Sequence, residues 1–223
     1  MEFKKACISL LFFILSFPLF AQQKDFEVWT GIKYKTVHSR RIATTLTLQS
    51  RLNENMMHFS IAFADFNLAY RLSKNVEVSG AYVFVRKNTL KNGFLTHHQY
   101  YGALGYEKKI NGISINYDFI LQNNHKDFIN DAREMIPRTA GRNKVKLEYK
   151  IKKSYLPFVY SELKHQLSRF EFPELSRIRL GAGLGYRLNT TSRIEIYYLY
   201  QHFFSNQPKQ RYVLGLSYKI RAF

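Results

Sequence analysis

Hydrophobic and polar residues alternate with period two along most of this chain. Phe26, Val28, Thr30, Ile32 and Tyr34 are interleaved with Glu27, Trp29, Gly31, Lys33 and Lys35. Ile178, Leu180, Ala182, Leu184, Tyr186 and Leu188 are interleaved with Arg177, Arg179, Gly181, Gly183, Gly185 and Arg187. Similar runs start near Ile42, Phe66, Val76, Ile113, Val145, Ile194 and Tyr212. Alternation of this kind is the signature of half-buried strands, because successive side chains in a strand point to opposite faces. The phase slips between residues 52 and 66, where Phe59, Ile61 and Phe63 are out of step with Phe66, Leu68 and Tyr70. A β-bulge, or a split into two short strands, would each account for the slip. The pattern predicts ten to twelve strands, with twelve preferred because bacterial single-chain barrels favour even numbers.

Short polar breaks join many strands: Ser73-Lys74-Asn75, Lys109-Ile110-Asn111-Gly112, Lys152-Lys153-Ser154 and Asn189-Thr190-Thr191-Ser192. They alternate with longer breaks around residues 86–94, 123–141, 167–175 and 204–210. Short turns at one end and longer loops at the other are the pattern of outer-membrane barrels. A soluble β-sandwich would also alternate, but several segments here run about ten residues, enough to cross a bilayer at a tilt. Soluble strands are usually about five or six residues long. Tyr34, Tyr106, Tyr149, Tyr186 and Tyr218 recur near strand ends, where an interfacial aromatic girdle would place them. The expected fold is all-β: a transmembrane antiparallel up-and-down β-barrel.

The N-terminus carries a different signal. Lys4 and Lys5 precede an apolar run from Ile8 to Phe20, and polarity switches after Ala21. That is the layout of a secretory signal peptide; a spanning helix would need about 20 apolar residues. The expected organisation is a signal peptide over 1–21 and an outer-membrane barrel domain over 22–223. Cys7 lies before the apolar run, which argues against a lipoprotein.

The full sequence has a formal net charge of +18, and losing residues 1–21 removes only Lys4, Lys5 and Glu2 from that balance. With 16% aromatic residues beside so many lysines and arginines, the apolar and cationic sets must occupy separate faces. For an exported chain an anionic membrane surface is a better partner than nucleic acid. Expected partners are outer-membrane lipid including lipopolysaccharide, the outer-membrane assembly machinery and a small anionic ligand. No cofactor is expected.

Several segments of the second half resemble a known family. They are Arg142-Asn143-Lys144-Val145-Lys146-Leu147-Glu148-Tyr149, Pro157-Phe158-Val159-Tyr160-Ser161-Glu162-Leu163, Arg177-Ile178-Arg179-Leu180-Gly181 with Gly185-Tyr186-Arg187-Leu188, and Ile196-Tyr197-Tyr198-Leu199-Tyr200-Gln201. With the early Phe26-Glu27-Val28-Trp29, they are similar to the domain of unknown function 2490. The resemblance implies an outer-membrane barrel of a Gram-negative bacterium, and no reaction. Where that family carries His-Arg before its middle strands, this chain has His97-His98-Gln99.

Candidate chemistry is sparse. Barrel enzymes that cleave lipid use a serine and a histidine on the outer face, and the nearest candidates are His165 with Ser168, His202 with Ser205, and His97 or His98. None lies in a nucleophile motif, and polar rim residues are the preferred reading, so enzymatic activity is not favoured. His125-Lys126-Asp127 with Asp131 and Glu134 lies in an expected loop, where a divalent cation is conceivable but a solvated loop is favoured. No histidine and carboxylate spacing indicates a metal centre. A charged set on the inward phase is more informative: Arg142, Lys144, Lys146, Glu148, Glu162, Lys164, Arg177, Arg179, Arg187 and Glu195. In a barrel these converge in the lumen. They would form a hydrogen-bonded ion-pair network filling a narrow pore, or select solutes, an excess of cations favouring anions. A structural barrel whose basic rim grips lipopolysaccharide phosphates is a third reading.

Overall fold

A computed structural model describes residues 24–89, 93–126, 138–151, 154–167, 173–204 and 209–223. The segment read as a signal peptide lies outside them. Eleven strands close into one barrel: β1 (Lys24–Val37), β2 (Ile42–Asn53), β3 (His58–Arg71), β4 (Val76–Thr89), β5 (Gly93–Ile110), β6 (Ile113–Lys126), β7 (Arg138–Tyr149), β8 (Tyr155–Leu167), β9 (Glu174–Arg187), β10 (Ser192–Phe203) and β11 (Lys209–Ala222). Every strand pairs with its sequence neighbours in antiparallel register.

Eleven lies within the expected ten to twelve, one below the preferred twelve, and the barrel is antiparallel as expected except at one seam. In an up-and-down barrel with an odd number of strands, the first and last run the same way. β1 and β11 therefore pair in parallel, from Lys24 opposite Gln210 to Thr36 opposite Ala222. The phase slip in β3 is a bulge. Arg51 faces Ile61 and Leu52 faces Phe59, so Ser60 is the extra residue. Its hydroxyl donates to the Arg51 carbonyl at 3.1 Å, and the insertion moves Phe59 to the outer face while Phe63 stays inside.

Short turns gather at one end of the barrel. In three of them a serine or asparagine side chain accepts the next strand's first backbone N–H: Ser39 from Ile42, Ser73 from Val76 and Asn189 from Ser192. Such side chains mimic a backbone turn, which is why they favour these positions. The β5–β6 hairpin is a two-residue turn in which Asn111 (φ 47°) and Gly112 (φ 84°) both have positive φ, the requirement of the turn type that matches strand twist. At the opposite end β4 runs to Thr89 and β5 starts at Gly93, so the break expected over 86–94 is shorter.

The outward phase is apolar around the circumference. Ile32, Leu48, Phe66, Leu68, Leu104, Val159, Leu180, Leu184, Ile196 and Leu216 are all exposed. A contiguous apolar belt of this extent is not compatible with water, and closure leaves no sheet edge unpaired in hydrocarbon. The soluble sandwich is thereby excluded. Tyr34, Tyr70, Tyr106, Tyr149, Tyr155 and Tyr186 project outward at the short-turn end, as an interfacial girdle does. The core is inside: Trp29, Leu199 and Val213 are buried together with Tyr160 and Tyr197 packed on them. The rings lie across glycines of neighbouring strands. A Cβ on Gly183 would sit 2.6 Å from Phe158 Cζ, and those on Gly181 and Gly215 would fall inside the rings of Tyr160 and Tyr197.

Candidate functional site: the lumen wall

The inward phase of each strand writes the lumen wall, and its charge is unevenly distributed. Strands β7 to β11 and β1 are consecutive around the barrel. They contribute Arg142, Lys144, Lys146, Lys164, Arg177, Arg179, Arg193, Arg211, Lys219 and Lys33, against Glu148, Glu162, Glu195 and Glu27. Strands β2 to β6 present mostly neutral groups, such as Thr45, Thr47, Asn67, Ser79, Ala81 and Asn116, with Arg51, Asp65 and Asp118 among them. One half of the wall is therefore strongly cationic and the facing half nearly neutral.

In the half of the lumen towards the longer loops, side chains form a hoop. Gln99 Oε1 accepts from Gln122 Nε2 at 3.0 Å, and Gln122 Oε1 accepts from Arg142 at 3.1 Å. Glu162 takes Arg142 at 2.6 Å on one oxygen, and Arg177 and Arg179 at 3.1 Å each on the other. Arg179 Nε then donates to Gln201 at 2.8 Å. Next around the wall, Glu27 binds Arg211 at 2.6 Å and accepts the Trp29 indole N–H at 2.7 Å. The Arg51 guanidinium lies 3.8 Å from the Trp29 ring centre and 5.2 Å from that of Phe63. Every strand but β4 contributes a member. Burying these charges is tolerable only because each carboxylate is paired and hydrogen-bonded.

A second cluster lies towards the short turns. Glu195 meets Arg193 at 2.8 Å and Lys219 at 2.5 Å, while Glu148 meets Lys146 at 2.9 Å and Arg193 at 3.2 Å. The ten residues expected in the lumen lie on the inward phase of their strands, and seven take part in these ion pairs: Arg142, Lys146, Glu148, Glu162, Arg177, Arg179 and Glu195. Lys144, Lys164 and Arg187 form no ion pair among the described residues; the Lys144 ammonium sits 5.7 Å over the Tyr160 ring. Lys33 forms none either. It stands opposite Lys219 across the parallel seam, with Lys35 opposite Arg221 one step further along the inward phase. Like charges directly opposite one another on paired strands repel.

Sequence reasoning confined the site to residues 142–195 and missed Glu27, Trp29, Lys33, Arg51, Arg193, Arg211 and Lys219. All lie on the same inward phase. The closure, which sets β1 beside β11, hid Glu27, Trp29, Lys33, Arg51 and Arg211; Arg193 and Lys219 flank Glu195 on the β10–β11 pair and were within reach of the alternation.

The other candidates are dispersed. His97 faces the lumen and His98 the outside, where its Nδ1 lies 2.7 Å from the Tyr82 hydroxyl. His202 neighbours the Tyr200 hydroxyl at 3.5 Å and the Phe204 ring. His165 lies at the bulge opposite β9. Ser168, Ser205, Asp127, Asp131 and Glu134 lie outside the described residues. Among the described residues no group of three His, Cys, Asp or Glu side chains could hold a metal ion.

Comparison with known proteins gives one family match: a model described as a protein of unknown function, DUF2490, covers residues 26–213. No curated protein matches the chain. Among solved structures, the translocator domain of autotransporter NalP from Neisseria meningitidis is similar at 12% identity and a TM-score of 0.46, over 78% of this chain and 72% of that one. The β-domain of the Bordetella autotransporter BrkA is similar at 11% identity and 0.41, over 79% and 82%. OmpT of Vibrio cholerae is similar at 11% identity and 0.38, over 74% and 56%. The likeness is one of β-barrel form and extends no further.

Proposed function

We propose that this chain, which belongs to the DUF2490 family of proteins of unknown function, sits in the outer membrane of a Gram-negative cell and holds or admits a small anionic solute in its basic lumen. One observation carries the reading: Lys33 opposes Lys219, and Lys35 opposes Arg221, across the seam that closes the barrel. Cations facing one another in register in a confined space favour a counter-anion, and Glu195, which binds Lys219, leaves Lys33 without an ion pair among the described residues. Lys144 and Lys164, which lack ion pairs among the described residues, add to the same field. Excess cation lining a lumen favours anions and raises their local concentration. The ionic hoop narrows the path towards the longer loops, so any current through the barrel is small.

Planar-bilayer recording under a potassium chloride gradient tests this. The expected reversal potential is anion-selective, and Lys33→Glu with Lys144→Glu moves it towards cation selectivity. A cation-selective current, or a reversal potential that ignores both substitutions, defeats the proposal. With no current at all, passage fails, and holding an anion fails too if phosphate does not raise the unfolding midpoint.

A further inference from the structure

The lipid-facing side of the barrel is not uniformly bulky. Thr30, Ser50, Ala62 and Arg86 are direct register partners on β1 to β4, and the first three are small. With Ala64 they floor a groove of about 670 Å³, walled by Ile32, Leu48 and Phe84. That volume falls within the ~300–1,000 Å³ typical of small-molecule sites. The two hydroxyls on its floor satisfy each other, Thr30 Oγ1 lying 2.7 Å from Ser50 Oγ, so hydrocarbon can fill it without stranding a polar group.

The groove is also off-centre in the wall. Thr30 is six positions from the start of β1 at Lys24, Ala62 four from the start of β3 at His58, Ser50 three from the end of β2 at Asn53, and Arg86 three from the end of β4 at Thr89. Thr30 therefore lies nearest the middle of the wall, while Ser50, Ala62 and Arg86 lie three or four positions from the longer-loop end, which is extracellular in barrels of this kind. Arg86 is exposed on the outward phase, where a cation is costly at mid-bilayer and cheap only near the interface. It is held in place by its Nη1, which donates to Thr96 Oγ1 at 2.8 Å, and by the Phe94 ring 5.6 Å away. One hydrogen bond uses one of five guanidinium donors.

We infer that this groove is a binding site for a phosphorylated lipid of the outer leaflet, the lipopolysaccharide class. An acyl chain lies along Thr30, Ser50 and Ala62, and a phosphate pairs with the Arg86 guanidinium. The fork of donors suits phosphate, and in the membrane the groove's apolar walls meet only acyl chain. This site rests on the outer-membrane placement and is independent of the anion reading of the lumen. A second outward groove, floored by Ser161 and Ala182 and walled by Leu147, Val159 and Leu180, has no cation among its lining residues and serves as an internal control.

Native mass spectrometry of the detergent-folded protein, titrated with diphosphorylated lipid A, tests the inference. Heat-shifted gel migration verifies the fold of each variant. Arg86→Ala weakens binding at least tenfold and Arg86→Lys less. Ala62→Phe, which fills the groove, weakens it comparably, whereas Ala182→Phe in the control groove leaves it unchanged. Dephosphorylated lipid A binds at the level of Arg86→Ala. Equal binding by wild type and Arg86→Ala, equal loss with Ala62→Phe and Ala182→Phe, or indifference to the phosphates each overturns it. Full competition by millimolar inorganic phosphate also overturns it, because the acyl groove would then contribute nothing.

Discussion

Glu162→Gln tests whether the hoop holds the barrel together. The side chain is 3% exposed and neutralises three guanidiniums, from Arg142, Arg177 and Arg179, within 3.1 Å. Glutamine keeps the shape and some hydrogen bonds but leaves the three cations facing one another. Removing one member of a buried pair costs about 3–5 kcal/mol. The arginine side chains here are 21%, 15% and 11% exposed, so water retains some access and the low end, about 3 kcal/mol, is expected. That is at least a hundredfold in the folding equilibrium, since about 1.4 kcal/mol is tenfold. Urea titration of the protein in detergent micelles reads it directly. The single tryptophan, Trp29, is 5% exposed inside the lumen with the Arg179 guanidinium 5.3 Å from its ring centre. Its emission therefore follows the hoop. Arg177→Gln costs less, because Arg142 and Arg179 still neutralise Glu162. The double variant costs less than the sum, because the two residues share one network. A loss below about 1 kcal/mol for Glu162→Gln, or strict additivity, would refute the account built on burial and pairing.

Two further outcomes follow from the inner wall. Gly215→Val drives a side chain into the Tyr197 ring and costs about 1–3 kcal/mol as overpacking; adding Tyr197→Ala recovers part of the loss, measured as the urea midpoint by circular dichroism. Trp29→Phe removes a charge-assisted hydrogen bond to Glu27 and leaves a smaller ring under Arg51. It lowers stability by about 1.5–3 kcal/mol, read by circular dichroism because the fluorophore is gone.

Much of the fold was legible because a strand's side-chain period is two. Arg177 and Arg179 cannot point anywhere but inward while Ile178 and Leu180 face lipid, and a one-residue slip would exchange every one of them. The phase slip before Phe66 was equally visible, and Ser60 absorbs it as a bulge. Alternation fades where strands leave the bilayer, because both faces become polar there; so β4 and β5 extend into a stretch that reads as a loop. Glu162 with Arg142 and Arg179 was within reach, since those residues sit on adjacent hairpins. Glu27 with Arg211 was not: 184 positions separate them, and only the parallel closure brings them together. Alternation states which face a residue takes but not which strand is its neighbour, and an even count would have set the two terminal strands antiparallel.

That closure also ties the chemistry of the lumen to its architecture. Parallel pairing is slightly weaker per residue than antiparallel, so the β1–β11 seam needs help from side chains. Towards the longer loops it has help: Asp25 faces Arg211 in register, Glu27 binds Arg211, and Trp29, Leu199 and Val213 bury one another behind them. Towards the short turns Lys33 and Lys35 face Lys219 and Arg221, with Glu195 as the carboxylate that binds Lys219. One half of the seam is thus self-sufficient, while the other is under-neutralised by its own residues. A barrel evolved only to be a closed wall would gain by exchanging one lysine of that pair for a neutral residue. On the function proposed above, a mobile anion completes the seam, so that the most weakly closed part of the cylinder is also where the solute would sit.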